Sequence, residues 1–476
     1  MRRALLLFLC SFFLLAPAAL WAKKEGRTPA KKPVAAAESH HPAMAALTLP
    51  QEGEPYDPQN PPARLRVLVA LGPSTYFIKD GKPHGLEFAM LQGFESELNR
   101  RRPKSRPPIR LQFIPVDAGE LIPALREGRG DIAAGMIPFS ESLKSLVGVT
   151  EPYASDEWCL LGQREQALSF ATLAELPLML TSGSYARRLL SQQDKQLVLD
   201  EAPIGHNAEM LLRDINTNPE QQTLSSRAVY KLWASTYGKL KLGECLSARS
   251  PLVWLVDQAN PALANDLNNY IASRQFTSLD KAIELTRRHL IVDGKVERSD
   301  KVTSMDKLAI FSPIFQAAAA ANNLDWLLLA AIGQKESKLS PVIRQNGPTG
   351  VMQVNPSTAR AMGVRDPHSN EGNISAAAIY LNYLRKMYSR EGISEENQLY
   401  FMIAAYNAGE GRLAQLRRIA KSKGLNPNIW VGHVEQVALT SVSRGMVDYV
   451  STVNRYYLAY QAAEKARARQ KKSDVK

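Results

Sequence analysis

Hydrophobic residues follow two different patterns along this chain of 476 residues. Between Arg64 and about Leu290, short continuous apolar runs alternate with segments in which apolar residues recur every three or four positions. A continuous run is typical of a strand buried on both faces, and the second spacing is typical of a helix. This alternation predicts a parallel or mixed α/β sheet. The strand candidates are residues 65–71, 109–116, 131–137, 157–162, 176–181 and 251–257.

After about Ser299 the pattern becomes almost wholly helical. Apolar residues recur at three- and four-residue spacing in long stretches, and turn clusters such as Asn346-Gly347-Pro348 separate them. We therefore predict a multidomain fold, with an α/β domain over residues 63–295 and an all-α domain over residues 300–463. The helix candidates in the second domain are residues 312–323, 324–337, 374–390 and 396–409.

The two ends of the chain differ in composition from these regions. Residues 1–22 contain a basic start, an apolar run and a small residue before Lys23, which is typical of a secretory signal peptide; an uncleaved anchor is the alternative. Residues 23–62 are rich in Lys, Pro, Ala and Glu and are expected to form a disordered linker. Residues 464–476 form a basic tail, expected to be solvated, with peripheral membrane contact as the alternative. The net charge of +13 favours anionic partners.

The cysteines and histidines limit the chemistry that the chain can perform. In an oxidising compartment Cys159 and Cys245 could form a disulfide, and two buried small apolar residues are the alternative. The seven His residues show no metal-ligand spacing, so we expect no structural metal and no cofactor. A phosphate-binding loop and a Ser/His/Asp order are also missing from the sequence, and we expect no nucleic-acid partner.

Four short elements in the second domain point to a catalytic site. Glu336 ends a helix that is apolar on nearly every side, so its carboxyl group should lie at the edge of a low-dielectric region. Partial desolvation raises the pKa of a carboxyl group and suits it to act as a general acid. Uncharged polar side chains in the other elements can orient this group and bind sugar hydroxyls without neutralising it. The elements are Glu336-Ser337, residues 350–353, residues 405–409 and Tyr449-Val450.

Together, these elements resemble the lysozyme-like catalytic domain of the soluble-type lytic transglycosylases, from Met305 to Ala463, and residues 346–359 are especially close to that family's pattern. The resemblance implies that Glu336 is the sole catalytic carboxylate and that peptidoglycan glycan strands are the substrate. Glu336 would protonate the glycosidic oxygen between N-acetylmuramic acid and N-acetylglucosamine. It would then deprotonate the C6 hydroxyl, which closes on C1 to give a 1,6-anhydromuramyl product.

The same resemblance implies roles for the neighbouring residues. Ser337 would hold Glu336, Tyr449 would hydrogen-bond its carboxyl group, and the remaining residues would contact the substrate. One position departs from the family pattern, because Gly445 stands where many relatives have a Glu four residues before the tyrosine. The substrate-contacting residues are Gln353 and Asn407, which would bind the substrate, and Met352 and Tyr406, which would line the cleft.

The first region resembles the periplasmic solute-binding proteins of the amino-acid-binding kind, from Arg64 to about Leu290. This implies two α/β lobes with a ligand cleft between them. In relatives that bind free amino acids, an Arg clamps the ligand carboxylate, but Ser142 stands at that position here, with Lys144 nearby. We therefore expect a muropeptide or another small ligand, or a positioning or regulatory role, in place of amino-acid binding.

Two other functions remain open. A true muramidase would need a second carboxylate, and the candidates are expected to be caps or solvated charges. A pure binding protein would have no need of a buried acid. The expected location is the periplasm, peripheral to the outer membrane. The candidate second acids are Asp366, Glu371, Glu410 and Asp448, and the tyrosines expected to serve in packing are Tyr380, Tyr383 and Tyr388.

Overall fold

The computed structural model describes residues 55–474, apart from gaps at 73, 165–167, 172–176, 182–183, 192–198, 203–207, 293–294, 297–304, 345–346 and 442–443. The predicted signal peptide and most of the predicted linker lie outside the described residues. Below, residues 64–296 are called the α/β region and residues 305–474 the helical region.

The α/β region alternates strands and helices as its hydrophobic pattern predicts. Its strands are β1 (Arg64–Ala70), β2 (Phe77–Lys79), β3 (Lys82–His84), β4 (Arg110–Val116), β5 (Ile132–Pro138), β6 (Gly148–Val149), β7 (Ala154–Asp156), β8 (Trp158–Gly162), β9 (Leu178–Leu180), β10 (Leu199–Glu201), β11 (Thr223–Ser226), β12 (Lys241–Cys245), β13 (Ser250–Val256), β14 (Ile291–Val292) and β15 (Lys295–Val296). Its helices are α1 (Leu86–Arg101), α2 (Leu121–Arg126), α3 (Glu141–Lys144), α4 (Tyr185–Ser191), α5 (Ala208–Thr217), α6 (Arg227–Trp233), α7 (Pro261–Ile271) and α8 (Leu279–Leu290).

The strands form two separate lobes. In the first lobe the sheet order is β4-β1-β5-β13-β6, with β7 also paired to β13. Strand β1 runs parallel to β4 and β5, and β13 is antiparallel to β5. The second lobe contains the sheet β11-β8-β12 and the pair β10-β9. The chain passes between the lobes at β7–β8 and again at β12–β13, so two crossing segments join them. The expected two-lobed α/β fold is confirmed.

A disulfide bond joins Cys159 to Cys245. The two residues face each other on the neighbouring antiparallel strands β8 and β12. Of the two alternatives that the sequence left open, the cross-link is the one observed. It ties together the two strands through which the chain enters and leaves the second lobe.

The helical region is built from helices in every layer, as predicted. They are α9 (Met305–Asn322), α10 (Trp326–Ser337), α11 (Pro356–Ala361), α12 (Asn370–Arg390), α13 (Glu395–Ala408), α14 (Glu410–Ser422), α15 (Glu435–Ser441) and α16 (Arg444–Asp474), with a kinked π-helical segment at Trp430–Val434 before α15. Helix α10 packs between α9 and α16, and α13 packs between α12 and α16.

The structure adds detail at both ends of the described chain. The side chain of Tyr56, in the predicted linker, is only 8% exposed, and its hydroxyl donates to Asp266 Oδ2 at 2.5 Å. This buried aromatic residue anchors the last part of the segment expected to be disordered. At the other end, α16 continues through the predicted basic tail to Asp474. The Ala, Lys, Arg and Gln residues there are good helix formers.

The turn between β2 and β3 contacts the helical region. Gly81 has a φ of +75°, and a Cβ atom at this position would lie 2.5 Å from Thr452 Cγ2 on α16. Arg455 Nε donates to the Gly81 carbonyl oxygen at 2.9 Å, and Lys338 Nζ pairs with Asp80 Oδ1 at 3.2 Å. Only glycine combines this backbone conformation with such a close approach. The α/β region therefore touches the helical region two residues beyond Glu336.

Candidate active site

Helix α10 positions Glu336 at its carboxyl end. Asp325 caps the start of the helix, where its side chain accepts a hydrogen bond from Leu327 N at 2.9 Å, and the body of the helix is almost completely buried. It ends at Ser337 and is followed by Lys338 and Leu339, which both adopt left-handed conformations with φ of 55° and 52°. Such conformations are unfavourable for residues other than glycine and are found preferentially at functional sites. The sharp helix end leaves the Glu336 side chain half-buried at the surface of the core.

The environment of Glu336 suits a general acid. Burial raises the pKa of its carboxyl group, and the hydrogen bond from Tyr449 and the charge of Lys335 oppose this effect. The Tyr449 hydroxyl donates to Glu336 Oε1 at 2.5 Å, the contact that the sequence resemblance implied. No carboxylate of the described residues contributes to the pKa of Glu336. A raised pKa favours the protonated form, which can deliver a proton to a glycosidic oxygen.

The loop at residues 350–353 is held by a residue that the sequence analysis missed. Asn373, at the start of α12, is fully buried, and its Oδ1 accepts from Met352 N at 2.7 Å. Its Nδ2 donates to the carbonyl oxygens of Thr349 and Pro367 at 2.9 and 3.0 Å. Gly350 has a φ of +78°, and a Cβ atom there would collide with the Asn373 side chain. Asn373 could have been recognised in the sequence as a polar residue on the otherwise apolar inner face of its helix.

The predicted substrate-binding residues differ in whether their side chains are already hydrogen-bonded within the protein. Asn407 is exposed, and no hydrogen bond links its side chain to another described residue. Gln353 has a left-handed backbone with φ of 48°, and its Nε2 donates to Gly350 O at 2.6 Å. The Ser337 hydroxyl donates to Gly333 O at 3.1 Å within its own helix and not to Glu336. The roles of Asn407 and Gln353 remain predictions, but the predicted contact between Ser337 and Glu336 is wrong.

The prediction that Met352 lines the cleft is also wrong for its side chain. Met352 is fully buried, and its sulfur fills the space beside Gly333, where an added Cβ atom would lie only 3.2 Å from it. Its backbone carbonyl oxygen instead accepts a hydrogen bond from the Tyr406 hydroxyl at 2.8 Å. The sequence could not distinguish a cleft residue from a core residue here, because methionine is common in both.

Three tyrosines form an aromatic row that starts beside Glu336. Burial raises the pKa of Tyr406, and the charge of Glu336 adds to this effect. The Tyr406 ring lies 6.0 Å from that of Tyr380, and Tyr380 stacks on Tyr383 with ring centroids 6.3 Å apart. Tyr383 was predicted to pack in the core, but it is 47% exposed, so this prediction is wrong. Tyr388 is 2% exposed and packs in the core, as predicted.

The four candidate second acids have other environments. Asp366 is exposed and accepts hydrogen bonds from the backbone N–H groups of His368 and Ser369, as a turn residue does. Glu410 accepts a hydrogen bond from the Tyr380 hydroxyl at 2.7 Å. Glu371 and Asp448 are exposed. The structure therefore brings Tyr449 and Tyr406 together with Glu336, and none of these acids is paired with it.

The α/β region lacks an arginine clamp at the expected position. The Ser142 hydroxyl lies 2.9 Å from the Ser140 hydroxyl, and Lys144 pairs with Glu141 at 3.1 Å, so its charge is already compensated. Between the lobes, Glu209 of α5 is 5% exposed, and its Oε1 accepts a hydrogen bond from Ser74 N at 2.9 Å. A carboxylate of the protein itself thus joins the second lobe to the loop after β1.

Two families match the chain. Residues 65–283 match the bacterial extracellular solute-binding proteins, family 3, and residues 313–429 match the transglycosylase SLT domain. The chain therefore carries a solute-binding domain of family 3 followed by a transglycosylase SLT domain. This confirms the resemblance inferred from the sequence motifs. Glu336, Gln353 and Asn407 all lie inside the second matched range.

Curated relatives that match most of this chain support this assignment. The chain is 25% identical over 464 residues to the membrane-bound lytic murein transglycosylase F of Saccharophagus degradans, covering 90% of this chain and 89% of the relative. It is 28% identical over 433 residues to membrane-bound lytic murein transglycosylase F 1 of Alkalilimnicola ehrlichii, covering 83% of each. Among solved structures, an ancestral arginine-binding protein bound to arginine matches 47% of this chain and 97% of its own, with 17% identity and a TM-score of 0.40.

The names of these relatives describe them as membrane-bound. Within residues 55–474 of this chain and outside the gaps given above, no helix has an apolar stretch long enough to cross a bilayer.

Proposed function

We propose that this protein is a peptidoglycan lytic transglycosylase in which Glu336 acts first as general acid and then as general base. The observation that carries the proposal is the half-buried Glu336, whose pKa burial raises and whose carboxyl group is hydrogen-bonded by Tyr449 without a neighbouring carboxylate in the described chain. Hydrolysing glycosidases use two carboxylates flanking the scissile bond. A single acid fits a reaction in which the substrate supplies its own nucleophile.

The proposed reaction proceeds in two steps at this carboxyl group. Glu336 donates its proton to the oxygen between N-acetylmuramic acid and N-acetylglucosamine, and the bond from this oxygen to C1 of the muramic acid breaks. The substrate acetamide stabilises the positive charge at C1. The Glu336 carboxylate then removes the proton of the C6 hydroxyl, and the C6 oxygen bonds to C1. The acid is thereby regenerated and the product is a 1,6-anhydromuramyl end.

The surrounding residues fit glycan binding around this acid. Asn407 presents an exposed amide that bonds no other described side chain and can bond sugar hydroxyl or acetamide groups. Tyr383 and Tyr380 offer a stacked aromatic surface that extends outward from Tyr406. Aromatic faces provide rigid apolar contact area for ligands that are themselves partly apolar. We propose that glycan strands lie along this row and also contact Gln353.

The α/β region is proposed to position or regulate the enzyme, with a muropeptide as the small ligand of its cleft. Its carboxylate clamp is missing, and its β2–β3 turn contacts α16 and Lys338 beside the active site. The proposed location is the periplasm, peripheral to the outer membrane, after export by the N-terminal segment.

Digestion of purified sacculi followed by mass spectrometry tests the proposed reaction. Wild-type protein should release muropeptides lighter by one water than hydrolysis products, and Glu336→Gln should reduce the rate by about a hundredfold or more. Glu371→Gln, which removes an exposed carboxylate from α12, is the matched control and should retain activity. Reducing-end products from the wild type would show a hydrolase instead.

A further inference from the structure

A cavity of about 600 Å³ lies where the α/β region meets the helical region. Helix α1 and strand β4 form one side, and α13, α15 and α16 form the other. Its volume is in the range of small-molecule sites, roughly 300–1,000 Å³. Glu336 does not line this cavity, although Asp448 and Val450, the neighbours of Tyr449 on α16, do. The cavity is therefore separate from the candidate active site.

The cavity contains a guanidinium group that lacks an acidic partner. Arg455 Nε donates to Gly81 O at 2.9 Å, and one Nη donates to Thr452 Oγ1 at 3.1 Å. In the part of the chain that the structure describes, no carboxylate lies within ion-pair distance of Arg455. Burial is the largest influence on this group and lowers its pKa, and the charges of Tyr76, Tyr456 and Asp448 oppose that effect. A partly buried charge without an ion-pair partner is unfavourable, so an anion in the cavity would be stabilised there.

The other two arginines of the cavity wall form ion pairs with acidic residues. Arg64 forms an ion pair with Glu396, and Arg110 pairs with Glu95 at 3.2 Å. Their charges are compensated within the protein. Arg455 is therefore the lining arginine whose charge is available to a ligand.

Two amide side chains in the wall also have unsatisfied hydrogen-bonding groups. Asn454 is 8% exposed, and its side chain makes no hydrogen bond to any residue that the structure describes. Gln112 donates from Nε2 to the Tyr400 hydroxyl at 3.2 Å, but its buried Oε1 has no donor among the described residues. A buried polar atom is rarely left without a partner, and Gln112 Oε1 is such an exception. A ligand with amide donors and acceptors would satisfy both.

We propose that this cavity is a ligand site for a small peptide-like molecule whose carboxylate pairs with Arg455 and whose amide groups bond Asn454 and Gln112. The site is distinct from the cleft between the two lobes. Three acids line the same cavity. Glu95 pairs with Arg110, Asp448 is exposed to solvent, and Glu435 accepts a hydrogen bond from Gly432 N at 3.2 Å.

Calorimetric titration of the full-length protein tests the proposal without murein, so the result is independent of the proposed enzyme activity. The probes are N-acetyl-Ala-Ala with a free carboxylate and the same compound with a carboxamide end. A hydrogen-bonded charge pair contributes about 1.5–3 kcal/mol, so the carboxylate probe should bind at least about tenfold more tightly. Equal affinity for both probes, or no heat with either, would overturn the proposal.

Variants locate the binding site. Arg455→Gln should abolish the preference for the carboxylate, and Asn454→Leu, which removes no hydrogen bond to a described residue, should weaken both probes. Arg418→Gln on the exposed face of α14 is the matched control and should bind as the wild type does. Circular dichroism checks that each variant is folded, and Asn454→Leu keeps the test valid if Arg455→Gln is not. If Lys144→Gln removes binding while Arg455→Gln and Asn454→Leu do not, the ligand lies in the lobe cleft and the proposal is wrong.

Discussion

Tyr449→Phe removes the hydroxyl group that hydrogen-bonds the proposed catalytic acid. This hydroxyl lies 2.5 Å from Glu336 Oε1, and Tyr449 itself is 5% exposed, so water has little access to replace it. A hydrogen bond to a charged group contributes about 1.5–3 kcal/mol. The bond stabilises the carboxylate form more than the neutral acid, and negative charge develops on Glu336 as it transfers its proton.

Two changes in the pH–rate profile should follow. Because the transition state carries part of the full carboxylate charge, the rate at the optimum should fall by about tenfold, the lower end of that energy range. In addition, the pKa of Glu336 should rise, since the Tyr449 hydrogen bond lowers it in the wild type. A general acid must be protonated, so the alkaline limb of the profile should move to higher pH. The deficit of the variant should therefore shrink as the pH increases.

The assay is the initial rate of murein solubilisation across a range of pH. Tyr457→Phe is a closely matched control, because Tyr457 lies on the same helix and donates to Asp325 Oδ2 at 2.7 Å, at the opposite end of α10. It should lower stability without moving the alkaline limb. An unchanged rate for Tyr449→Phe, or an alkaline limb that moves to lower pH, would refute the assigned role of the hydrogen bond.

Three further predictions concern stability and substrate binding. Glu336→Gln should raise the melting temperature at neutral pH, because burial raises the pKa of this carboxyl group in the folded state. The wild type regains this stability as the pH falls from the raised folded-state pKa to the ordinary carboxyl pKa, so a difference in melting temperature that is independent of pH would contradict the prediction. The Cys159–Cys245 disulfide spans 86 residues, and its reduction should lower the free energy of unfolding by about 4–5 kcal/mol if the bond acts by restricting the unfolded chain. Urea denaturation followed by circular dichroism measures this loss. An unchanged denaturation midpoint would contradict the prediction. Tyr383→Ala should raise KM about two- to tenfold with kcat retained, because an aromatic contact contributes about 0.5–1.5 kcal/mol to binding. Tyr383→Phe keeps the aromatic ring and should behave as the wild type does. A loss confined to kcat would exclude a role of Tyr383 in substrate binding.

Several features of the site could be predicted because they depend on local sequence. Glu336 follows an apolar helix, and both the end of that helix and the partial burial of the carboxyl group follow from this pattern. The pairing of Glu336 with Tyr449 joins residues 113 positions apart, and it was accessible only through the resemblance of the ordered motifs to a family. The direction in which each side chain points could not be predicted from the motifs. Ser337 and Met352 adjoin functional residues in the chain, but Ser337 bonds its own helix and Met352 points into the core.

The order of residues was enough to establish the two kinds of region, the positions of most strands and helices, and the candidate acid, because hydrophobic periodicity and motif order are properties of neighbouring residues. Three other features arise only in the folded chain, namely the disulfide, the support of the 350–353 loop by Asn373, and the cavity around Arg455. Each of these depends on which distant segments pack together. A residue such as Arg455 is an ordinary helix position in the sequence, and its missing counter-ion becomes visible only when the α/β region is packed against α16.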